Sequence, residues 1–321
     1  MYDVIALGEL LIDFTAGGTS GQGNPLFEAN PGGAPCNVLA MLAKLGRRCA
    51  FLGKVGEDMF GRQLKAAIEA AGIDSRGLML DPRANTTLAF VRNAPDGDRE
   101  FSFYRDPGAD ELLREEELPG DLLGETRIFH FGSLSLTREP VRSATVVAAA
   151  LARSGGALIS FDPNLRPSLW PSLAAAREQM LWGCSVCGVL KVAEEELSFL
   201  TGCQGLEEGS RALRGRFPHI RLLLVTQGAL GSTAFLGDMS VFCPAYPQRT
   251  VVDTTGAGDT FCGCCLHYLL DHGLEALDEA GLGEMLRFAN AAAGLITTRK
   301  GALCSMPELA DIRRVTGGEK G

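Results

Sequence analysis

Val251–Gly263 reads VVDTTGAGDTFCG: two glycines, an acid, then an apolar run that continues through Cys262, Cys264 and Cys265. A loop of small residues opening a buried helix is the plainest reading. The free N–H groups and the dipole at such an N-terminus attract anions. Asp259 nevertheless puts a carboxylate there. Acids are favoured in first helical turns for the same electrostatic reason, so the residue alone leaves two readings. It is either a helix-start acid or a group placed beside a bound anion to do chemistry.

Strand and helix patterns alternate around this segment. Apolar strand-like runs occur at Asp3–Leu7, Cys49–Gly53, Ile128–Phe131, Leu158–Asp162, Val186–Val192 and Leu222–Thr226. Amphipathic patterns separate them at Cys36–Leu45, Gly61–Ala71, Pro140–Arg153, Ser172–Trp182 and Glu194–Leu200, with Gly46 and Gly72 as helix stops. That rhythm predicts an α/β fold, a mostly parallel sheet covered by helices on both faces. One region breaks it. Thr87–Arg92 and Arg99–Tyr104 alternate in polarity around NAPDGD, whose Asp96–Gly97 pair marks a hairpin turn. With the glycine-rich segment Gly17–Asn24, the hairpin reads as a small β lid beside the main domain.

At 321 residues the chain exceeds the size at which one core usually stops growing, so one domain with an appendage, or two domains, is expected. Its formal net charge of -9 argues against nonspecific binding to nucleic acid or to anionic lipid. The start MYDVIALGELLIDF carries Asp3, Glu9 and Asp13 and no basic lead, unlike a signal peptide. No apolar run reaches the ~18 residues of a membrane helix. The expected location is the cytoplasm, with the ten cysteines as buried, reduced thiols.

Familiar nucleotide motifs fail. Gly56–Gln63, GEDMFGRQ, has the glycine spacing of a P-loop but not the Lys and Ser/Thr that must follow. The four histidines form no metal-ligand spacing, and His267 and His272 read as surface or dipole-compensating groups. In GAGD, by contrast, the side-chain-free Gly256 and Gly258 let the N–H groups of 256–258 converge on one oxygen cluster. Asp259 beside them can take a proton from an attacking hydroxyl while the amides hold a phosphoryl group.

DTTGAGDTF together with GGAPCNV (Gly32–Val38) resembles the two signatures of the PfkB (ribokinase-like) sugar kinases. NPGGAPCNV, KVGEDMFG, REFSFYRDPGADELL, FDPNLRPSLWPS, KVAEEELSFLTG and TTRKGALCSMP resemble the family's fructokinase branch. The resemblance spans nearly the whole chain. It implies one ribokinase-like kinase domain over 1–321, a Rossmann-like sandwich with a lid from segments about 9–33 and 86–106. It also implies ATP- and Mg²⁺-dependent conversion of D-fructose to fructose 6-phosphate, and a homodimer formed through the lids. Asp259 is then the base, and the amides of Gly256, Ala257 and Gly258 are the anion hole.

The same resemblance assigns further residues. Asp13, Gly32, Gly33, Asn37, Phe103, Arg105, Asn164 and Arg166 fall on the sugar and the transferred phosphate. Phe103 and Arg105 are two apart on a strand and so share a face. Lys191, Glu194, Thr226, Gly228, Gly231 and Asn290 fall on ATP, with Glu194 organising Mg²⁺ through water and Lys191 standing where the family's motif has Asn. Asp253, Thr255, Ile296, Arg299, Gly301 and Ser305 resemble the loops around an activating K⁺. Some of these also have a plain structural reading: a turn acid for Asp13, a helix-start amide for Asn37, an ordinary lid face with a solvated Arg for Phe103 and Arg105, a solvated helix start for Lys191–Glu194. A 2-keto-3-deoxygluconate kinase or a ribokinase of the same family stays open, because Arg105 or Arg166 could hold a sugar carboxylate. So does a non-catalytic sugar or nucleotide sensor, although pure binding gains little from a base.

Overall fold

The computed structural model describes residues 1–93, 99–248 and 250–317. The expected turn at Asp96–Gly97 and most of the tail lie outside the described residues. In chain order the strands are β1 (Tyr2–Leu7), β2 (Leu11–Thr19), β3 (Pro25–Gly32), β4 (Cys49–Gly56), β5 (Ile73–Asp81), β6 (Leu88–Asn93) and β7 (Arg99–Tyr104). They continue with β8 (Thr126–Gly132), β9 (Leu158–Asp162), β10 (Val189–Ala193), β11 (Leu222–Thr226), β12 (Gly231–Leu236) and β13 (Met239–Pro244). The helices are α1 (Ala34–Lys44), α2 (Met59–Ala70), α3 (Gly120–Leu123), α4 (Val141–Ser154) and α5 (Leu173–Val186). After them come α6 (Glu194–Thr201), α7 (Leu206–Arg216), α8 (Ala257–His272), α9 (Glu279–Ile296) and α10 (Leu309–Thr316).

Nine strands form the main sheet in the order β13-β12-β11-β10-β9-β8-β1-β4-β5. Those from β11 to β5 pair in parallel, and β12 and β13 close one edge antiparallel. Strand alternation divides the apolar side chains between two cores. Val4 and Ala6 face α1, α2, α8 and α9, whereas Ile5 and Leu7 face α4, α5 and α6. Because both faces are covered, β1 reads as a continuous apolar run from Val4 to Leu7.

The second sheet, β3-β2-β6-β7, is the small β structure expected from the break in rhythm. Phe14 stacks on Phe90 at 4.8 Å, and Phe27 and Tyr104 meet the Phe90 ring edge-on at 5.4 Å. Phe27 and Tyr104 stay 46% and 65% exposed on this aromatic face, while Leu26, on the opposite face of β3, is 47% exposed.

Several elements differ from expectation. Val186 ends α5 rather than starting a strand, and β10 begins only after Gly188. The edge elements β5, β12 and β13 and the long α9 carry weaker period signals. His267 is no dipole-compensating charge: it stacks on Phe288 at 6.2 Å, and burial lowers its pKa to about 4. Seven cysteines are buried as expected, but Cys203 and Cys243 are partly exposed and Cys304 is exposed.

Near the β5 edge a buried lysine ties loop to sheet. Lys54 Nζ donates to Glu117 at 2.7 Å and to the Leu112 carbonyl at 3.0 Å, and lies 3.4 Å from Asp81. Removing one partner of a buried pair strands the other charge. Lys54→Met is therefore expected to lower stability by about 3 kcal/mol, read as a lower urea midpoint with an unchanged slope.

Candidate active site

A cavity of about 190 Å³ opens where the C-terminal ends of the parallel strands meet the lid, the usual ligand position in open α/β sheets. Asp259, in the first turn of α8, is 6% exposed and lines it. Its Oδ2 accepts from Asn37 Nδ2 at 2.8 Å, and its Oδ1 from Asn164 Nδ2 at 3.0 Å. Asn37 lies in the first turn of α1. Asn164 follows β9 and adopts φ 49°, a left-handed conformation unusual for a side-chain-bearing residue and found at constrained sites. Burial raises the Asp259 pKa above the ordinary carboxylate value, against the opposing pull of Asn37, Lys191 and Arg166.

Gly256 caps α8 with φ 77°, and the Cβ it lacks would lie 2.7 Å from Ala302 Cβ, so only glycine fits there. Gly256 and Gly258 line the cavity with Thr254 and Thr255. The Ala257 N–H is instead directed at the Thr254 carbonyl, 3.3 Å away, so the expected trio of amides narrows to the two glycines. Asp253 fixes this loop: it accepts from the N–H and hydroxyl of Thr255 at 2.9 and 2.7 Å and from the Gly301 N–H at 3.2 Å.

Lys191 and Arg166 bring positive charge to the same cavity. Lys191 lies close to the glycine loop, since a Cβ on Gly258 would sit 3.0 Å from its Nζ. It pairs with Asp162 at 3.0 Å. Burial works against the ammonium, but Asp162, Glu196 and Asp259 hold its pKa above the usual value. Burial raises Asp162 to about 7, with Lys191 opposing. Behind them burial and the Lys191 charge lower His130 to about 3, so it stays neutral.

Asp13, Gly33 and Phe103 complete the lid side of the cavity. A Cβ on Gly32 would lie 2.3 Å from Asp13 Oδ2, which explains the glycine there. Arg105 is elsewhere. Its guanidinium is buried against Asp110 at 2.7 Å and Glu111 at 3.5 Å and donates to Thr137 and the Leu134 carbonyl. It lines a neighbouring cavity of about 330 Å³ with Phe103 and Trp170.

Other expected residues do not line the main cavity. Asn290 is buried and donates to the Cys243 and Pro244 carbonyls, lining a separate cavity of about 400 Å³ with Phe242, Tyr246 and Arg287. Thr226, Gly228 and Gly231 form the turn from β11 to β12. Glu194 is the half-buried first residue of α6, and it is Glu196 that clamps the Leu165 and Ala193 N–H groups. Ile296 and Arg299 join in one turn, Arg299 N–H to Ile296 carbonyl, and Ser305 donates to Lys300, so these loops frame Asp253.

Sequence reasoning missed Glu9 and Leu134, which both line the main cavity. Glu9 carried a signal: an acid directly after the β1 end, in a run otherwise apolar. Burial raises its pKa to about 7.

Over residues 1–309 the sequence matches the model of the pfkB family carbohydrate kinases. The chain belongs to the pfkB family. It is 43% identical to Fructokinase-1 of Zea mays over 311 residues, 96% of each chain. A fructokinase double mutant of Vibrio cholerae O395, in its fructose-, ADP- and potassium-bound form, superposes with TM-score 0.86 at 31% identity, covering 98% of both chains. A fructokinase of Xylella fastidiosa with bound ATP also gives TM-score 0.86 at 31% identity, over 100% of both. The nine-stranded sheet with its separate lid sheet is thus the architecture of this kinase family.

Glu9 gives a pH signature. Its folded pKa is raised, so the ionised form is penalised above about 7, and the penalty vanishes below the unfolded value of about 4.3. Glu9→Gln removes that penalty and is expected to stabilise the fold at pH 8 by up to about 3 kcal/mol, the gain fading as pH falls to 4. Melting temperatures across that range check it.

Proposed function

We propose that this kinase is an ATP-dependent fructokinase, transferring the γ-phosphoryl group of ATP to D-fructose to give fructose 6-phosphate. The observation that carries the reading is the Asp259 carboxylate, buried in the cavity wall beside the free end of α8 and aimed by two amides. Asp259 takes the proton of the attacking hydroxyl as the new P–O bond forms and ADP leaves. Phosphoryl transfer needs positioning and charge stabilisation rather than covalent help. The N–H groups of Gly256 and Gly258, with Lys191 and Arg166, are suited to hold the moving phosphoryl group. Mg²⁺, when bound with ATP, neutralises charge on the phosphates, with Glu194 on the assigned side. Asn290 and the Thr226–Gly231 turn lie on the nucleotide side, and the Asp253 and Gly301 loops are placed to hold an activating K⁺.

A neutral sugar fits better than a sugar acid. Arg105, one of the two cations considered for a carboxylate, is already committed to Asp110 and Glu111, while Asp13 and Glu9 add negative charge to the sugar side. Ribose remains the nearest competitor, and a silent sensor has no use for Asp259.

The chain works as one catalytic domain over 1–321, in the cytoplasm; among the described residues no helix is long and apolar enough to cross a membrane. The exposed Phe27 and Tyr104 of the lid's aromatic face make a homodimer surface. Phe27→Glu is expected to shift the species seen by sedimentation toward monomer; an unchanged value refutes the lid interface.

Asp259→Asn is expected to cut kcat about 100-fold or more, the scale of a lost general base, while ATP still binds. In the parent enzyme kcat/KM should fall as pH drops through a pKa above the ordinary carboxylate value, because the raised Asp259 must be ionised to act. ATP consumption over a panel of fructose, ribose and 2-keto-3-deoxygluconate checks the acceptor. Near-normal turnover by Asp259→Asn refutes the assigned role.

A further inference from the structure

Phe103 stands between two cavities. It is half-buried near the end of β7 and lines both the catalytic cavity of about 190 Å³ and the neighbouring one of about 330 Å³. No other described residue is shared by the two linings. The walls on either side run from one space into the next. In the loop after β9, Asn164 and Arg166 line the first cavity, and Ser168 and Trp170 line the second. On another wall Leu134 lines the first, and its carbonyl accepts at 3.1 Å from Arg105, which lines the second. What divides the spaces is therefore backbone at those two walls and one shared side chain, the Phe103 ring.

The second cavity suits a neutral ring. Phe103 and Trp170 give it aromatic walls, and the exposed Ser168 adds a hydroxyl. Its charges are already matched, Arg105 with Asp110 and Glu111, and Arg138 with Asp106 at 2.8 Å. Matched charges leave little net attraction for an anion, and a cleft of this size with aromatic faces and a few polar groups fits a small uncharged ligand. We propose that Phe103 is the specificity-determining partition of the acceptor site: its ring restricts the acceptor to a single sugar, and the cavity behind it receives a second, neutral sugar ring once the partition is removed. This rests on the sugar-kinase reading above. Phe103 lies on the lid side of the catalytic cavity and Asp259 on the α8 side, so the second ring must hang from a carbon away from the reacting hydroxyl.

The test compares the parent enzyme with Phe103→Ala on fructose, trehalulose and turanose. The two disaccharides carry glucose on O1 and on O3 of fructose and leave its 6-hydroxyl free; isomaltulose, linked through that hydroxyl, is the control. Because Phe103 also borders the fructose, the quantity read is the ratio of kcat/KM for each disaccharide to that for fructose. For trehalulose or turanose the ratio is expected to rise about tenfold or more in Phe103→Ala, the scale of shape discrimination in a pocket, with no rise for isomaltulose. Adding Ser168→Trp, which fills the second cavity, should return the ratio to the parent value with turnover of fructose retained. A lid that had merely loosened would keep its gain. If Phe103→Ala does not fold, Phe103→Leu, which removes the ring but keeps a branched side chain, must show the same rise. A folded variant with the parent's ratio, an equal gain on isomaltulose, or a gain that survives Ser168→Trp overturns the inference alone. A parent enzyme that phosphorylates no sugar overturns the functional reading and the inference together.

Discussion

A carboxylate buried at the N-terminus of a helix, held by two amide side chains from elsewhere, is the constraint around which the catalytic side of this molecule is arranged. Asp259 sits in α8, Asn37 in α1 and Asn164 in the loop after β9. Each donor offsets part of the desolvation that raises the acid's pKa. Asn37 cannot reach unless α1 and α8 pack closely, which the small Gly263 permits: a Cβ there would lie 3.0 Å from the Val38 carbonyl. Helix packing on one face of the sheet thus fixes the position of this carboxylate.

The cavity divides its charge. Glu9 and Asp13 lie with the lid, while Lys191, Arg166 and the glycine amides lie with the sheet and α8. Opposite fields therefore meet in one small space, and Asp259 lines it between them. The chain as a whole is acidic, with net charge -9, so its global field gives no attraction for a nucleotide. Attraction has to come from fixed local donors, which explains why Lys191 is kept charged by Asp162 rather than left to lose its proton on burial.

What the sequence revealed, and what it hid, follows the same physics. Buried central strands such as β8 and β9 are mostly apolar runs, interrupted only by His130 within Ile128–Phe131 and by Ser160 within Leu158–Phe161, and helices with glycine stops declare their period, so the layered α/β fold was legible. GAGD and GGAPCNV were legible because close backbone approach demands glycine at fixed positions. The edges were not: β5, IDSRGLMLD, mixes buried and exposed residues without a regular period, and the β12–β13 hairpin lies beyond the last strand run the sequence suggested, Leu222–Thr226. Arg105 misled because strand alternation gives a face but not a partner. β7 ends at Tyr104, and Asp110 and Glu111 capture the guanidinium just beyond. Glu9 was overlooked because an acid in an apolar run looks like an interruption until the strand end beside it is known.

The lid joins two surfaces through a single thickness of backbone. Along β7 the side chains alternate, so Phe103 faces the cavities while Tyr104, its neighbour, is exposed on the aromatic face with Phe27. A one-residue slip would exchange the two faces, so the register that pairs Ala89 with Phe103 serves both. The aromatic ladder of Phe14, Phe90 and Tyr104 holds that register from the outer side. Covering the outer face, by whatever partner, restrains the strands that carry Asp13 and Phe103, because neither strand can tilt without moving both of its surfaces. Sugar-side geometry would therefore be coupled, through the sheet itself, to any partner that covered this face.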